Sequence, residues 1–411
     1  MSEILFISHR IPFPPDRGDK IRSHHILRHL ARLAPLHVAT FADDAFDFAA
    51  EGELAAMAAS HCLVRRSKPL ALAAAQAMLS GKPISLTAFH SRKLADYVAR
   101  VLQTRPIATI YVFSGQMGQY VPAAFAGRVV ADFVDVDSAK FDAYALRDHG
   151  PKAWAERREA KLLRAEEARV AARADVSLLI SDAEAALFRE RLPTGLAASC
   201  DVRTLGNGID SDMFDPALVD PEPRLAELPF PRLIFTGQMD YAPNIEACLR
   251  AATRILPLIR AHFPQASLHV VGRSPTDALT ALSGRDGVHV WGRVAQVQPW
   301  LAGADLALVP LEIGRGVQNK VLEAMAMALP VVLTPEAATG IGARDGHEVS
   351  LATDDRQLAD ACLTLLQDAP RARAMGEAAR RYVVSQASWQ AALAALPPIV
   401  DLAAPDARDA A

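Results

Sequence analysis

Cysteine is scarce in this chain. Its 411 residues hold four, Cys62, Cys200, Cys248 and Cys362, far apart and with no CxxC pair. A structural zinc site and a disulfide framework are therefore not expected, and the thiols read as reduced packing residues. Charge of one sign is lacking too. Lys and Arg number 44 against 47 Asp and Glu, a formal net charge of -3 spread along the chain, so bulk electrostatics do not point to nucleic acid as a partner. No apolar run reaches the ~18 residues of a membrane span. The nearest, LALAAAQAML at 70–79, reads as a packed helix, with a helix lying on a membrane surface as the competing reading. The opening MSEILFISHR lacks a basic stretch followed by an apolar one and reads as a strand rather than a signal peptide. None of the 12 histidines stands at an HExxH-like spacing, so no metal ligands are expected. No GxGxxG follows a strand, which weighs against a dinucleotide oxidoreductase.

What the chain has is apolar material, 51% hydrophobic against 22% charged residues, enough for two globular cores at this length. Short β-branched runs alternate with helical stretches. ILFIS (4–8), HVATFA (37–42), HCLVRR (61–66), IATIYVFS (107–114), RVVADFVDVD (128–137) and DVSLLIS (175–181) read as strands. Helices are expected over 22–34, 151–173 and 182–191, the last capped by Ser181 or Asp182. A proline-rich stretch, 216–231, reads as a linker. The alternation then restarts with RLIFTG (232–237), one long helix over 244–263, SLHVVGR (267–273), GVHVWG (287–292), DLALVPL (305–311), a helix over 318–329 and PVVLTP (330–335). Near-continuous apolar strands joined by helices make parallel sheets covered on both faces. The expected organisation is a Rossmann-like domain over 1–215, the linker, a second Rossmann-like domain over 232–385, and a tail over 386–411 whose helix packs back on the first domain.

Three segments carry chemistry. The first, PLEIGRGVQNKVLEAMAMALPVVLTP (310–335), ends a strand in a loop with Gly314 and Gly316 and opens a helix bearing Asn319, Lys320 and Glu323. Such a loop lets backbone N–H groups approach a phosphate. Lys320 would add a cation, and Glu323 one turn on could accept hydrogen bonds from ribose hydroxyls. An ordinary surface pair between the two at i, i+3 is the alternative. The second segment, PFPPDRGDKIR (12–22), places Gly18 and Lys20 beyond the first strand, where His9 also stands. The third, DFVDVDS (132–138), sets Asp132, Asp135 and Asp137 alternately near a strand end. It superficially resembles a metal-binding Asp-x-Asp, which the two-domain pattern argues against.

The segment around Glu323 resembles the donor-site motif of family-4 retaining glycosyltransferases: a Glu, seven residues, and a second Glu leading into an EAMA-type helix and a Pro-Val-Val strand. Glu323 matches the second Glu, which in that family binds the nucleotide ribose. Arg315 stands where the first, sugar-contacting Glu would be. TGQMDYAPN (236–244) lies where many members carry an Arg and a Lys for the diphosphate. Here Gln238 and Asn244 stand near those places, with no matching Arg/Lys pair, so Arg273, Arg315, Lys320 and the helix dipole would meet the charge. Asp135 or Asp137 stands about where many members have a sugar-contacting His. The combination of RGDKIRSHHILRHLA, FVDVDSAKF, GQMDYAPN and RGVQNKVLEAMAMALPVV resembles the sugar transferases of exosortase/PEP-CTERM and exopolysaccharide loci.

The resemblance implies a GT-B fold, two Rossmann-like doubly wound parallel-sheet domains facing across a cleft. It implies retaining transfer from a nucleoside-diphosphate sugar to a saccharide or lipid-linked saccharide acceptor, with no obligate cofactor or metal. Asp135, Asp137, Arg315 and His9 would serve catalysis. Gly18, Lys20, Gly237, Gln238, Arg273, Gly314, Gly316, Asn319, Lys320 and Glu323 would hold the donor. A cytoplasmic protein, with peripheral membrane contact at most, follows. A sugar-nucleotide epimerase of the same fold and a catalytically silent scaffold for polysaccharide assembly are the rival readings.

Overall fold

A computed structural model describes residues 2–314 and 316–402. The described residues divide into two compact units, 2–207 with 393–402, and 208–392.

The first unit is built on a seven-stranded parallel sheet: β1 (Glu3–Ser8), β2 (Leu36–Ala42), β3 (Ser60–Arg65), β4 (Ile107–Phe113), β5 (Arg128–Val134), β6 (Val176–Leu179) and β7 (Val202–Thr204). Its order is β3-β2-β1-β4-β5-β6-β7, with Ile4 opposite Leu36 on one side and Thr109 on the other. Every residue of β1 and β2 is buried, as mainly apolar strands are when helices cover both faces. The order reverses between β1 and β4, so the chain leaves both strands at a switch point where ligands of open parallel sheets bind. The end of the chain returns here: Thr109 Oγ1 donates to the carbonyl of Val400 and Arg128 Nε to that of Ile399.

The second unit holds six parallel strands: β8 (Arg232–Thr236), β9 (Ser267–Val271), β10 (Val288–Gly292), β11 (Leu306–Val309), β12 (Val331–Leu333) and β13 (Ser350–Leu351). They run in the order β10-β9-β8-β11-β12-β13, with its own reversal between β8 and β11. Within the segment read as a linker, Leu225 belongs to this unit's core, Val219 and Leu228 pack against it, and Pro223–Ala226 forms a helical turn.

The long helix expected over 244–263 is interrupted. Ala242–Arg250 passes through a π-turn at Ala251–Ile255 into Leu256–Arg260. Pro257 has no N–H for the carbonyl of Thr253, and the wider turn absorbs that loss without ending the helix.

Candidate donor site and the first unit's charged cluster

Three strand ends and one helix start converge in the second unit. Thr236 ends β8, Val271 ends β9, Arg293 follows β10, and the helix Asn319–Ala326 opens after β11. They line a cavity of about 580 Å³ together with Gly237, Gln238, Gly272, Arg273, Val294, Val297 and Glu323. Five residues singled out from the sequence, Gly237, Gln238, Arg273, Asn319 and Glu323, thus meet at one place.

The backbone at this place is closely packed. A Cβ on Gly272 would stand 1.6 Å from the carbonyl oxygen of Gly237, so only glycine lets the turns after β8 and β9 touch. Asn244 ties the first turn down by donating from Nδ2 to the carbonyl of Gln238 at 2.8 Å. Arg273 donates to Gln238 Oε1 at 2.8 Å, which holds its exposed guanidinium over the cavity. Arg293, also exposed, enters no ion pair among the described residues.

Lys320 and Glu323 differ from the surface pair that spacing alone allows. Lys320 Nζ donates to Asn244 Oδ1 at 2.5 Å and lies 4.8 Å from the centre of the Phe235 ring. No ion pair joins it to Glu323 among the described residues. Lys320 instead reaches under Gly237: a Cβ there would be 3.5 Å from its Nζ. Burial lowers the Lys320 ammonium to about 8, against the opposing pull of Cys248 and Glu323. Burial pushes the Glu323 carboxyl up to about 7, and the positive charge of Lys320 only partly offsets it. Glu323 thus presents to the cavity a carboxyl with no direct cation partner among the described residues. The two exposed guanidiniums, the lysine behind the glycine turn and the helix N-terminus form a concave surface fit for an anion.

The two loop glycines stand apart from this lining. A Cβ on Gly314 would meet the Glu336 carbonyl at 1.8 Å, so its lack of a side chain serves a contact with the loop after β12. Gly316 has φ +66 and open space around it. Arg315, between them, lies outside the described residues. Arg293 was not among the sequence-derived residues, although Gly-Arg directly after a strand end in GVHVWGR was a usable signal.

In the first unit the expected donor residue Lys20 is elsewhere. Its side chain is fully buried and its Nζ donates to Asp47 Oδ1 at 2.5 Å and to the Phe13 carbonyl at 3.3 Å. A lysine neutralised inside the protein does not reach a diphosphate, and the reading of Lys20 as a donor ligand is corrected on that ground. Gly18 opens the helix Gly18–Leu33 with nothing within 4 Å of where a Cβ would stand.

His9 sits at the end of β1, its ring stacked on Phe113 at 5.9 Å and hydrogen-bonded through Nε2 to Asp19 at 3.1 Å. Its Nδ1 is buried without a partner. Arg10 bridges Asp19 (2.6 Å) and Asp43 (2.5 Å). Burial alone would raise the Asp19 carboxyl, but hydrogen bonds from His9 and Arg10 outweigh it and hold it well below the usual range. Below this layer Asp132 accepts from Arg22, at 3.2 Å to each oxygen, and from the Tyr111 hydroxyl at 2.9 Å. Asp132, first in the run DFVDVDS, is thus a buried structural group, its carboxyl raised by burial against the pull of Arg22 and the Tyr111 hydrogen bond.

Asp135 and Asp137 lie beyond Val134, a β-branched residue at φ 68. That conformation is rare for such a side chain and turns the chain sharply out of the sheet. Both carboxylates are partly exposed and lie 3.9 and 2.9 Å from Lys140. Among the described residues no group of three or more His, Cys, Asp or Glu is placed to hold a metal ion.

Residues 230–368 match the family model described as Glycosyl transferases group 1. The match lies within the second unit, and every residue lining the cavity falls inside it. Solved structures similar to the whole chain include Alr3699/HepE from Anabaena, determined with UDP (15% identity, TM-score 0.60, covering 97% of this chain and 99% of that one). Sucrose-phosphate synthase from Thermosynechococcus elongatus is similar at 15% identity and TM-score 0.56, covering 98% of each chain. WaaG, described as a glycosyltransferase involved in lipopolysaccharide biosynthesis, is similar at 17% identity and TM-score 0.52, covering 96% and 99%. At these identities the likeness shows the fold, which is GT-B. No curated protein sequence matches the chain. Among the described residues no helix is long and apolar enough to cross a membrane.

Proposed function

We propose that this chain is a retaining glycosyltransferase of the family-4 kind. It transfers a hexose-type sugar from a nucleoside-diphosphate sugar to a saccharide acceptor, lipid-linked, in exopolysaccharide assembly of the exosortase-associated type. The observation that carries the donor half is the unpaired Glu323 carboxyl in a cavity rimmed by Arg273, Arg293 and the glycine turn over Lys320.

In this reading Glu323 accepts hydrogen bonds from the ribose hydroxyls. Arg273, Arg293, Lys320 and the amides of Gly237 and Asn319 meet the diphosphate. As the glycosidic bond to the nucleotide breaks, charge grows on the leaving phosphate, and preorganised cations at that spot act on the transition state more than on the ground state. Gln238 is held by Asn244 and Arg273 and shapes the turn rather than carrying charge. His9, Asp135 and Asp137, on the first unit, are proposed to act on the sugar and acceptor. HepE was determined with UDP-glucose as well as UDP, which supports a nucleotide-sugar donor here.

A thermal-shift panel of UDP, GDP, ADP, CMP and dTDP, each with its sugar forms, tests the reading. A nucleotide at 100 times its Kd adds about 2.7 kcal/mol of stability. A shift confined to one base supports the donor reading and names the donor. No shift with any nucleotide on folded protein overturns it in favour of a silent scaffold. Conversion of donor without any acceptor would replace it with the epimerase.

A further inference from the structure

Most surface helices turn their large apolar residues inward. The helix Leu70–Ser80 does the opposite. It contains no charged residue, and the residues it buries are Ala73 and Ala77. Its leucines and methionine face out: Leu70 is 71% exposed, Leu79 91%, and Leu72 and Met78 about half. Small residues let the helix lie close to the first unit while its large side chains are left about half or more uncovered. Burial within this unit cannot account for that pattern.

The patch extends beyond one helix. Arg158, on the helix Gly150–Arg173, donates to the carbonyls of Ala77 and Lys82, and Glu159 accepts from the N–H groups of Ile84 and Ser85. These bonds clamp that long helix beside Leu70–Ser80. One turn before Arg158 stands Trp154, 53% exposed. The preceding helix, Asp137–Arg147, packs against the same long helix as a hairpin and ends beside its start. It carries Leu146, 87% exposed, and the half-exposed Tyr144.

The polar groups around the patch are mainly cations. Lys82, Arg147 and Arg157 are exposed and in no ion pair among the described residues. The nearby acids Asp148 and Glu156 are instead both engaged by Lys152, at 2.6 and 3.9 Å.

We infer that this face of the first unit, the helix Leu70–Ser80 with the Leu146/Trp154 hairpin tip, docks on an anionic lipid bilayer. Outward leucines and a methionine suit the acyl boundary, the Trp and Tyr suit the headgroup layer, and three cations outside any ion pair, beside two acids that share Lys152, suit a negative surface. A protein partner would be met by an apolar patch with a mixed polar rim. An uncharged helix flanked by free cations favours lipid. The inference deepens the proposed lipid-linked acceptor, because docking would bring the first unit to where such an acceptor resides, yet docking itself needs no catalysis.

Flotation of the full chain with vesicles tests it. Vesicles of phosphatidylglycerol and phosphatidylethanolamine should carry the protein up the gradient, and pure phosphatidylcholine should carry far less. Leu79→Asp with Leu146→Asp should cut binding to the anionic vesicles at least about tenfold, and added salt should weaken wild-type binding. Both positions are exposed, so folding should survive, and an unchanged nucleotide-induced thermal shift checks that separately. Failure to float with anionic vesicles, or unchanged flotation of the double variant, overturns the inference. So does a wild-type dimer that the double variant converts to a monomer without losing lipid binding, because the patch would then be a contact between copies. Flotation without any nucleotide shift would leave docking standing and remove the donor reading, so the two fail separately.

Discussion

Glu323→Gln separates stability from binding by sign. The Glu323 carboxyl lies at about 7 in the folded chain, raised by burial from an ordinary 4.5. The folded state therefore holds this proton more tightly than the unfolded one. Stability is greatest below the unfolded value and falls as pH rises towards 7, where folding must keep a desolvated anion. Replacing it with a neutral isostere should raise stability at pH 8 by about 1–3 kcal/mol, a rise readable as an increased Tm.

Nucleotide binding should move the other way. Ribose hydroxyls donate, so the ionised carboxylate is the better acceptor, and its loss should cost roughly 1–3 kcal/mol, about 5- to 150-fold in Kd. The wild-type affinity should then climb from pH 6 to pH 7.5 as Glu323 ionises. It should decline above about pH 8 as Lys320, lowered to about 8 by burial, loses its charge. Isothermal titration of the nucleotide found in the thermal-shift panel, at half-unit pH steps on wild type and variant, reads both limbs. A Gln variant with wild-type Kd and an unchanged low-pH limb refutes the role given to Glu323. A variant that binds weakly but gains no stability at pH 8 refutes the burial argument instead.

Three further outcomes follow from particular contacts. Gly272→Ala forces a Cβ to within 1.6 Å of the Gly237 carbonyl, so the turn must move and nucleotide binding should be lost by titration even where circular dichroism shows a folded chain; normal binding would remove the turn from the site. Asp132→Asn leaves the buried Arg22 guanidinium without its counter-charge and should cost about 3–5 kcal/mol in urea unfolding, whereas a loss under about 1 kcal/mol would mean that Asn207 and Gly206 suffice for Arg22. Transfer activity should survive chelation, and a full loss restored by Mn²⁺ would return Asp135 and Asp137 to a metal role.

What was legible in the sequence and what was not divide by the range of the contacts involved. The strands were legible because a parallel sheet covered on both faces leaves its strands almost wholly apolar over four to seven residues, as in β1, β2 and β9. The lining of the cavity was legible because strand, glycine turn and helix start are local events. Gly237, Gln238 and Arg273 follow strand ends, Asn319 opens a helix and Glu323 lies one turn into it, and parallel topology then brings those places to one edge. Lys20 was misplaced because its fate depends on Asp47, 27 residues on, and one cation in a loop crowded with charge looks like another until its partner is known. Asp132 was grouped with Asp135 and Asp137 for the same reason. The three alternate in sequence, but the first closes on Arg22 from 110 residues away while Val134 turns the other two outward. The leucine-rich helix at 70–80 shows the limit from the other side. Its composition allowed both a packed helix and a surface-lying one, and only the observation that its alanines, not its leucines, face the protein favours the second. Apolar content measures how much surface seeks burial, and the direction of the side chains determines what can bury it.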